Sequence, residues 1–185
     1  HLPKDVQIHG IIVNGGDAPN IVPAYAKAKF YLRSATVPTM DALWPKIEHI
    51  VEGAALMTGA KGRMQPYQNR VENTVPTPSF DKVYQRVMET LGVHVYEPDA
   101  QDERGSTDCG NISQVVPTIQ PHISISETFI PGHTEAFKNA ACSAYGLATI
   151  ARGAKALALT ALELIEQPEE LAAIKAEHKK MVAEQ

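Results

Sequence analysis

The stretch Asn73-Thr74-Val75-Pro76-Thr77-Pro78-Ser79 constrains the fold most. Pro76 and Pro78 lack backbone donors and push the residues before them toward extended conformations, so neither a helix nor a central strand runs through it. It reads as a linker. A boundary near Pro76 divides residues 1–75 from residues 76–185, and with 44% of the 185 residues hydrophobic each part can bury a small core.

Ahead of the linker, Gln7-Ile8-His9-Gly10-Ile11-Ile12-Val13 reads as a buried strand, stopped by Asn14-Gly15-Gly16-Asp17, where glycines permit a tight reversal. In the next segment Lys27 and Lys29 alternate with Ala26, Ala28 and Phe30, the period of a half-exposed strand ending at Arg33. Thr39 is placed as N-cap of a helix through Met57, because Leu43, Ile47, Ile50, Val51 and Ala54 recur at helical steps. Gly59 and Gly62 end it, and Arg63-Met64-Gln65-Pro66-Tyr67-Gln68 is taken as a further strand, giving the order β-β-α-β.

After the linker, helical spacing runs from Phe80 to Leu91 with Ser79 as cap and Gly92 as stop. Residues 118–126 resemble a strand, with Pro121 arguing for an edge. An alanine- and leucine-rich run from Ser143 to Ile165 reads as a long buried helix, and Pro168 opens an amphipathic one ending in Lys179 and Lys180. The fold class is mixed, α/β (α+β).

The formal net charge of −4 and the absence of a long Lys/Arg block argue against nucleic acid or an anionic membrane, leaving small molecules as partners. No apolar run approaches the roughly 20 residues that span a bilayer, so the cytoplasm is the expected location. Cys109 and Cys142 have neither CxxC nor zinc-finger spacing and read as structural thiols. The chain opens His1-Leu2-Pro3-Lys4-Asp5, without an initiator Met, and is expected to be part of a longer polypeptide.

Three segments can carry chemistry. In Gly15-Gly16-Asp17-Ala18-Pro19-Asn20-Ile21-Val22-Pro23, a glycine-rich turn can present the Asn20 amide to a carboxylate, or Asn20 can simply cap the turn. Arg33 can clamp a carboxylate bidentately or stand as a solvated charge at a strand end. In Arg104-Gly105-Ser106-Thr107-Asp108-Cys109-Gly110-Asn111, hydroxyls and amides ahead of a helical segment from Ile112 to Val116 can hold an anion, or supply an ordinary cap. In Pro131-Gly132-His133-Thr134-Glu135-Ala136-Phe137, His133 sits where loops mount metal ligands. His9, His49, His94, His122 and His178 share no ligand spacing, although His9 is notable in an apolar strand.

Together these segments resemble the aminoacylase and carboxypeptidase-G type of metallo-amidohydrolase, in the branch of p-aminobenzoyl-glutamate hydrolase and related dipeptidases. The match rests on the run from Ile8 to Pro23 with Arg33, on Gly105-Ser106-Thr107-Asp108-Cys109-Gly110-Asn111 with Val115-Val116-Pro117, and on Gly132-His133-Thr134-Glu135-Ala136-Phe137. The resemblance implies that residues 1–75 form most of a ferredoxin-like dimerising lid, lacking its first strand and helix, and that residues 76–185 form the C-terminal portion of a metallopeptidase domain. It implies a homodimer, a zinc or manganese cofactor of two ions, His133 as a metal ligand, and Asn20 and Arg33 on the substrate's carboxylate. It also implies that Gly105, Ser106, Thr107 and Asp108 line the site and that His9 faces the cleft.

The reaction so implied is hydrolysis of an amide in an N-acyl amino acid, an aminobenzoyl-glutamate-like compound or a small dipeptide. The family's other metal ligands and its catalytic glutamate have no counterpart in these residues, so the isolated chain is expected to be inactive, with no catalytic residue of its own. The rival reading is a non-catalytic dimerising module that binds a carboxylate. A free-standing regulatory ferredoxin-like domain is a third.

Overall fold

The computed structural model describes residues 2–96 and 105–185, so Arg104 of the second motif lies outside the described residues. Helices and a small antiparallel sheet make this an α+β protein. The chain forms two compact units, His1–Asn73 with Gln185, and Thr74–Glu184.

In the first unit, β1 (Gln7–Asn14) pairs antiparallel with β2 (Lys27–Arg33), placing Gln7 opposite Arg33, His9 opposite Tyr31 and Gly10 opposite Phe30. An irregularity between Ile12 and Asn14 leaves Val13 as the extra residue of a bulge. The expectation of a buried β1 is not met, since Ile11 is 66% and Ile12 76% exposed. Apolar sequence states what a strand needs, but burial requires a covering layer, and among the described residues no helix packs broadly on this sheet.

The expected strand at residues 63–68 does not form either. Pro66 removes a donor from its middle. The segment meets β2 through side chains instead: the Tyr31 hydroxyl donates to Gln68 Oε1 at 2.8 Å, and the Tyr31 and Tyr67 rings meet edge to face at 5.7 Å.

Helix α1 (Val37–Thr58) starts one turn earlier than Thr39, because Thr36 is the cap and its Oγ1 accepts from the Thr39 backbone N–H. Pro38 occupies the first turn, where a missing donor costs nothing, and Pro45 is accommodated inside. Gly59 closes the helix at φ 70°, a left-handed conformation that glycine adopts without a Cβ clash.

The second unit holds α2 (Pro78–Thr90), α3 (Cys109–Ser113), α4 (Glu135–Ala141), α5 (Ala144–Glu166) and α6 (Pro168–Ala183). Thr77 occupies the N-cap position of α2 without a side-chain capping bond, and Ser79, expected in that role, instead donates from its backbone N–H and its hydroxyl to Glu177 on α6. Tyr84, Val87, Met88 and Ala156 form the core, with Leu91, Val93, Ile119 and Ile123 packed around them.

Residues 118–126 make no strand. Pro121 withholds a donor and no strand lies beside the segment among the described residues, so Ile119 and Ile123 are used for packing. Helix α5 is less buried than its apolar composition suggests: its buried residues are Gly146, Thr149, Ala156 and Thr160, while Leu157 and Ile165 are exposed. Small residues on the inner side let neighbouring backbones approach, which leaves the branched side chains outside.

A buried polar link fastens α3. Ser113 Oγ donates to the Gly110 carbonyl at 2.6 Å and accepts from the Val75 N–H at 2.9 Å, while His178 Nε2 lies 2.6 Å from the Ser113 carbonyl. Arg86 on α2 bridges Glu163 and Glu170, each at 2.7 Å, and their hydrogen bonds hold its guanidinium firmly charged.

Candidate functional site

Alternation along β1 and β2 sends residues of one parity to one face of the sheet. Gln7, His9, Tyr31 and Arg33, all exposed, share such a face and line an open surface cavity of about 300 Å³. The antiparallel register makes this possible, because it sets His9 across from Tyr31 and Gln7 across from Arg33. His9 Nε2 lies 3.2 Å from Gln7 Oε1, which steadies the imidazole at the cavity wall. The cavity thus presents a guanidinium and an imidazole beside an amide and a phenol, a set suited to a carboxylate.

On the same parity of β2, Lys29 reaches over the Tyr67 ring, with its Nζ 5.1 Å from the centroid. The Tyr67 phenol is raised above its ordinary value, mainly by its hydrogen-bonding interaction with Tyr31. Sequence reasoning does not single out Gln7, Tyr31, Lys29 or Tyr67. For Gln7, Lys29 and Tyr31 the available signal is their two-residue spacing from His9 or Arg33 along the strands, which becomes meaningful once the strand register is known.

Asn20 lies in the loop between the strands, exposed at a turn closed by Ile21 N–H to the Ala18 carbonyl at 3.2 Å. The glycine turn ahead of it is capped by Asn14, whose Oδ1 accepts from the Gly16 N–H at 3.1 Å. Gly16 itself has φ 109° and stands against Pro23, so this turn is built for glycine.

In the second unit, Gly105, Ser106 and Asp108 are exposed ahead of α3, and Thr107 is half-buried. The capping bond there comes from Thr107, whose Oγ1 accepts from the Cys109 N–H at 3.3 Å, and Asp108 makes no side-chain cap. The short helix begins at Cys109, earlier than the Ile112 start expected.

His133 is exposed and immediately precedes Thr134, the cap of α4, whose Oγ1 accepts from the Phe137 N–H at 3.2 Å. Its φ is 58°, and it is the non-glycine residue with positive φ among the described residues. That conformation disfavours residues with a Cβ. Among the described residues no group of three or more His, Cys, Asp or Glu side chains could hold a metal ion. One imidazole does not meet the four-ligand demand of zinc, so this donor set does not by itself fit a resident metal. No helix among the described residues is long and apolar enough to cross a membrane.

No family model matches the chain. Over 181 residues, 97% of its length, it is 35% identical to the Xaa-Arg dipeptidase of Homo sapiens, of which this covers 41%. Against the Xaa-Arg dipeptidase of Mus musculus the identity is again 35%, over 94% of the chain and 40% of the relative. A 59-residue stretch, 31% of the chain, is 34% identical to 12% of a p-aminobenzoyl-glutamate hydrolase polypeptide of Escherichia coli (strain K12). The likeness to these relatives supports an amidohydrolase- and dipeptidase-like family. The chain spans about two fifths of the length of the two dipeptidases it matches. In the first unit, the side chains of His9 and Arg33 at this pocket offer donors suited to a carboxylate.

Proposed function

We propose that the intact protein hydrolyses an amide bond in an N-acyl amino acid, an aminobenzoyl-glutamate-like compound or a small dipeptide. The observation that carries this reading is the cavity in which His9 and Arg33 face one another's strands beside Gln7 and Tyr31. Arg33 takes the substrate carboxylate through paired N–H donors, and His9, steadied by Gln7, adds a further donor. Holding that end of the substrate fixes the position of its amide relative to groups elsewhere in the protein. The exposed Asn20 amide extends the contacts to substrate.

His133 contributes one imidazole to a divalent zinc or manganese centre of two ions whose other ligands lie beyond the described residues. Residues 1–75 act as a ferredoxin-like lid through which two copies dimerise, residues 76–185 belong to the catalytic domain, and the enzyme works in the cytoplasm. The metal centre, the lid and the dimer rest on the family resemblance.

The test compares hydrolysis of an N-acyl amino acid with that of its carboxamide counterpart by the intact protein and by its Arg33→Met variant. Loss of a bidentate charged contact of about 2–3 kcal/mol corresponds to a rise in KM of roughly 30- to 150-fold for the free acid. The carboxamide is expected to show little change. Equal treatment of acid and carboxamide by the unaltered protein would sink the proposal.

A further inference from the structure

Two residues on one face of α5 hold the segment that carries His133 at both of its ends. Gly146 and Thr149 stand three apart in the first turns of the helix, so they share a face, and both are buried. Each is a weaker helix former than the alanines and leucines around it, so the helix itself gains nothing from them. Their neighbours account for both. Upstream of His133, the Thr149 hydroxyl donates to the Ser124 carbonyl at 3.1 Å, sharing its proton with the Tyr145 carbonyl one turn back on α5. Downstream, the end of α4 lies against Gly146: a Cβ built there would come within 2.4 Å of the Ala140 carbonyl oxygen and 2.7 Å of that of Ala141, and both obstacles are backbone. Ser143 completes the joint, its hydroxyl donating to the Ala140 carbonyl at 2.7 Å and accepting from the Gly146 N–H at 3.1 Å. Between these anchors, Thr134 Oγ1 donates to the Pro131 carbonyl at 2.8 Å and caps α4, closing the turn that holds His133 at φ 58°.

We propose that the first two turns of α5 are a seat for residues 124–142, and that Gly146 and Thr149 are positioning residues that set where the His133 imidazole stands without touching substrate. The inference rests on the reading that gives His133 a place in the hydrolase site. A left-handed backbone at a residue with a Cβ is uphill, so the loop keeps it only while the surrounding structure holds its ends. Released at Ser124, the loop gains conformers that carry the imidazole away from its place, and a misplacement of about 1 Å at a reacting group costs up to about a hundredfold in rate.

The experiment compares the intact protein with its Thr149→Val and Thr149→Ser variants. Valine keeps the shape of threonine and loses the hydroxyl, whereas serine keeps the hydroxyl. Hydrogen–deuterium exchange at the backbone amides of residues 125–134 should quicken about fivefold in Thr149→Val, the equivalent of one hydrogen bond of about 1 kcal/mol, and return toward the unaltered rate in Thr149→Ser. With N-benzoyl-glycine as substrate, kcat should fall about tenfold or more in Thr149→Val while KM changes less than about twofold, because Arg33, which holds the carboxylate, lies outside the seat. Thr149→Ser should restore kcat. Gly146→Ala is the harsher variant, since backbone has to shift to admit its Cβ, and the threonine pair decides the matter if it does not fold.

Exchange at residues 125–134 that is the same in Thr149→Val as in the unaltered protein, or a kcat that Thr149→Ser fails to restore, overturns the seat and leaves the hydrolase reading standing. Absence of turnover by the unaltered protein counts against the hydrolase reading, and the exchange rates then decide the seat by themselves.

Discussion

Phe30 lies across Gly10, and the space its ring occupies is the space a side chain at position 10 would need. A Cβ built on Gly10 would come within 2.3 Å of the ring carbons, far inside van der Waals contact. Gly10→Ala therefore expels the ring. Because Phe30 is already 56% exposed and can swing outward, the expected cost is about 1 kcal/mol, the low end for overpacking. Thermal unfolding checks the cost, and loss of the ring-current shift at the Gly10 α-protons checks the mechanism.

Ser113→Ala removes a hydroxyl that serves the Val75 N–H and the Gly110 carbonyl in a buried setting. The N–H of Val75, a residue only 1% exposed, is then left without that acceptor, for an expected loss of about 1–3 kcal/mol in urea unfolding. The His178 contact is to the Ser113 backbone carbonyl and survives the change.

Acid stability is governed in part by two carboxylates with opposite signs. Hydrogen bonds from Ser79 hold Glu177 below its ordinary value, so its contribution is present above the usual carboxylate pKa and is lost as pH falls through the lowered folded value. Burial, with the charge of Glu177 adding to it, pushes Asp81 up. Its ionisation penalises the fold above the raised pKa, and the penalty disappears as pH falls below the ordinary unfolded value. Asp81→Asn is expected to stabilise the protein near neutral pH and Glu177→Gln to destabilise it there, each difference shrinking toward about pH 3. Urea unfolding across that range gives the slopes.

At His133, fold and function should part company. Glycine relieves a left-handed backbone that costs about 1–2 kcal/mol for other residues, against an entropic cost of about 0.5–1 kcal/mol. His133→Gly is thus expected to be neutral or slightly stabilising in a melt. Under the proposed function the same change abolishes hydrolysis, as chelation of the intact protein does, and lowers bound zinc or manganese measured by elemental analysis. Full activity of the variant would remove His133 from the site.

Helices α5 and α6 are legible in the sequence because their starts carry signals: Ser143 caps α5 through the Gly146 N–H at 3.1 Å, and Pro168 opens α6. Residues 63–68 and 118–126 look like strands and are not, because a strand needs a neighbour with matching donors, and β-like composition around Pro66 or Pro121 does not supply one. The exposure of β1 is illegible for a related reason, since Ile11 and Ile12 record a preference for cover rather than its presence. His9 and Arg33 are visible as candidates, and both line the cavity. Their partnership with Gln7 and Tyr31 depends on pairing across a loop whose length alone does not fix it.

The cavity exists as a phase relation between two strands. Sliding β1 by a single residue against β2 would reverse which of its side chains share a face with Arg33, bringing Ile8 and Gly10 where Gln7 and His9 now stand. The fit of Phe30 over Gly10 and the extra residue at Val13 act as two keys at different points along the ribbon, and a slipped strand would violate both. A glycine with no chemistry of its own and a bulge outside the cavity thereby hold the cationic and imidazole groups in step.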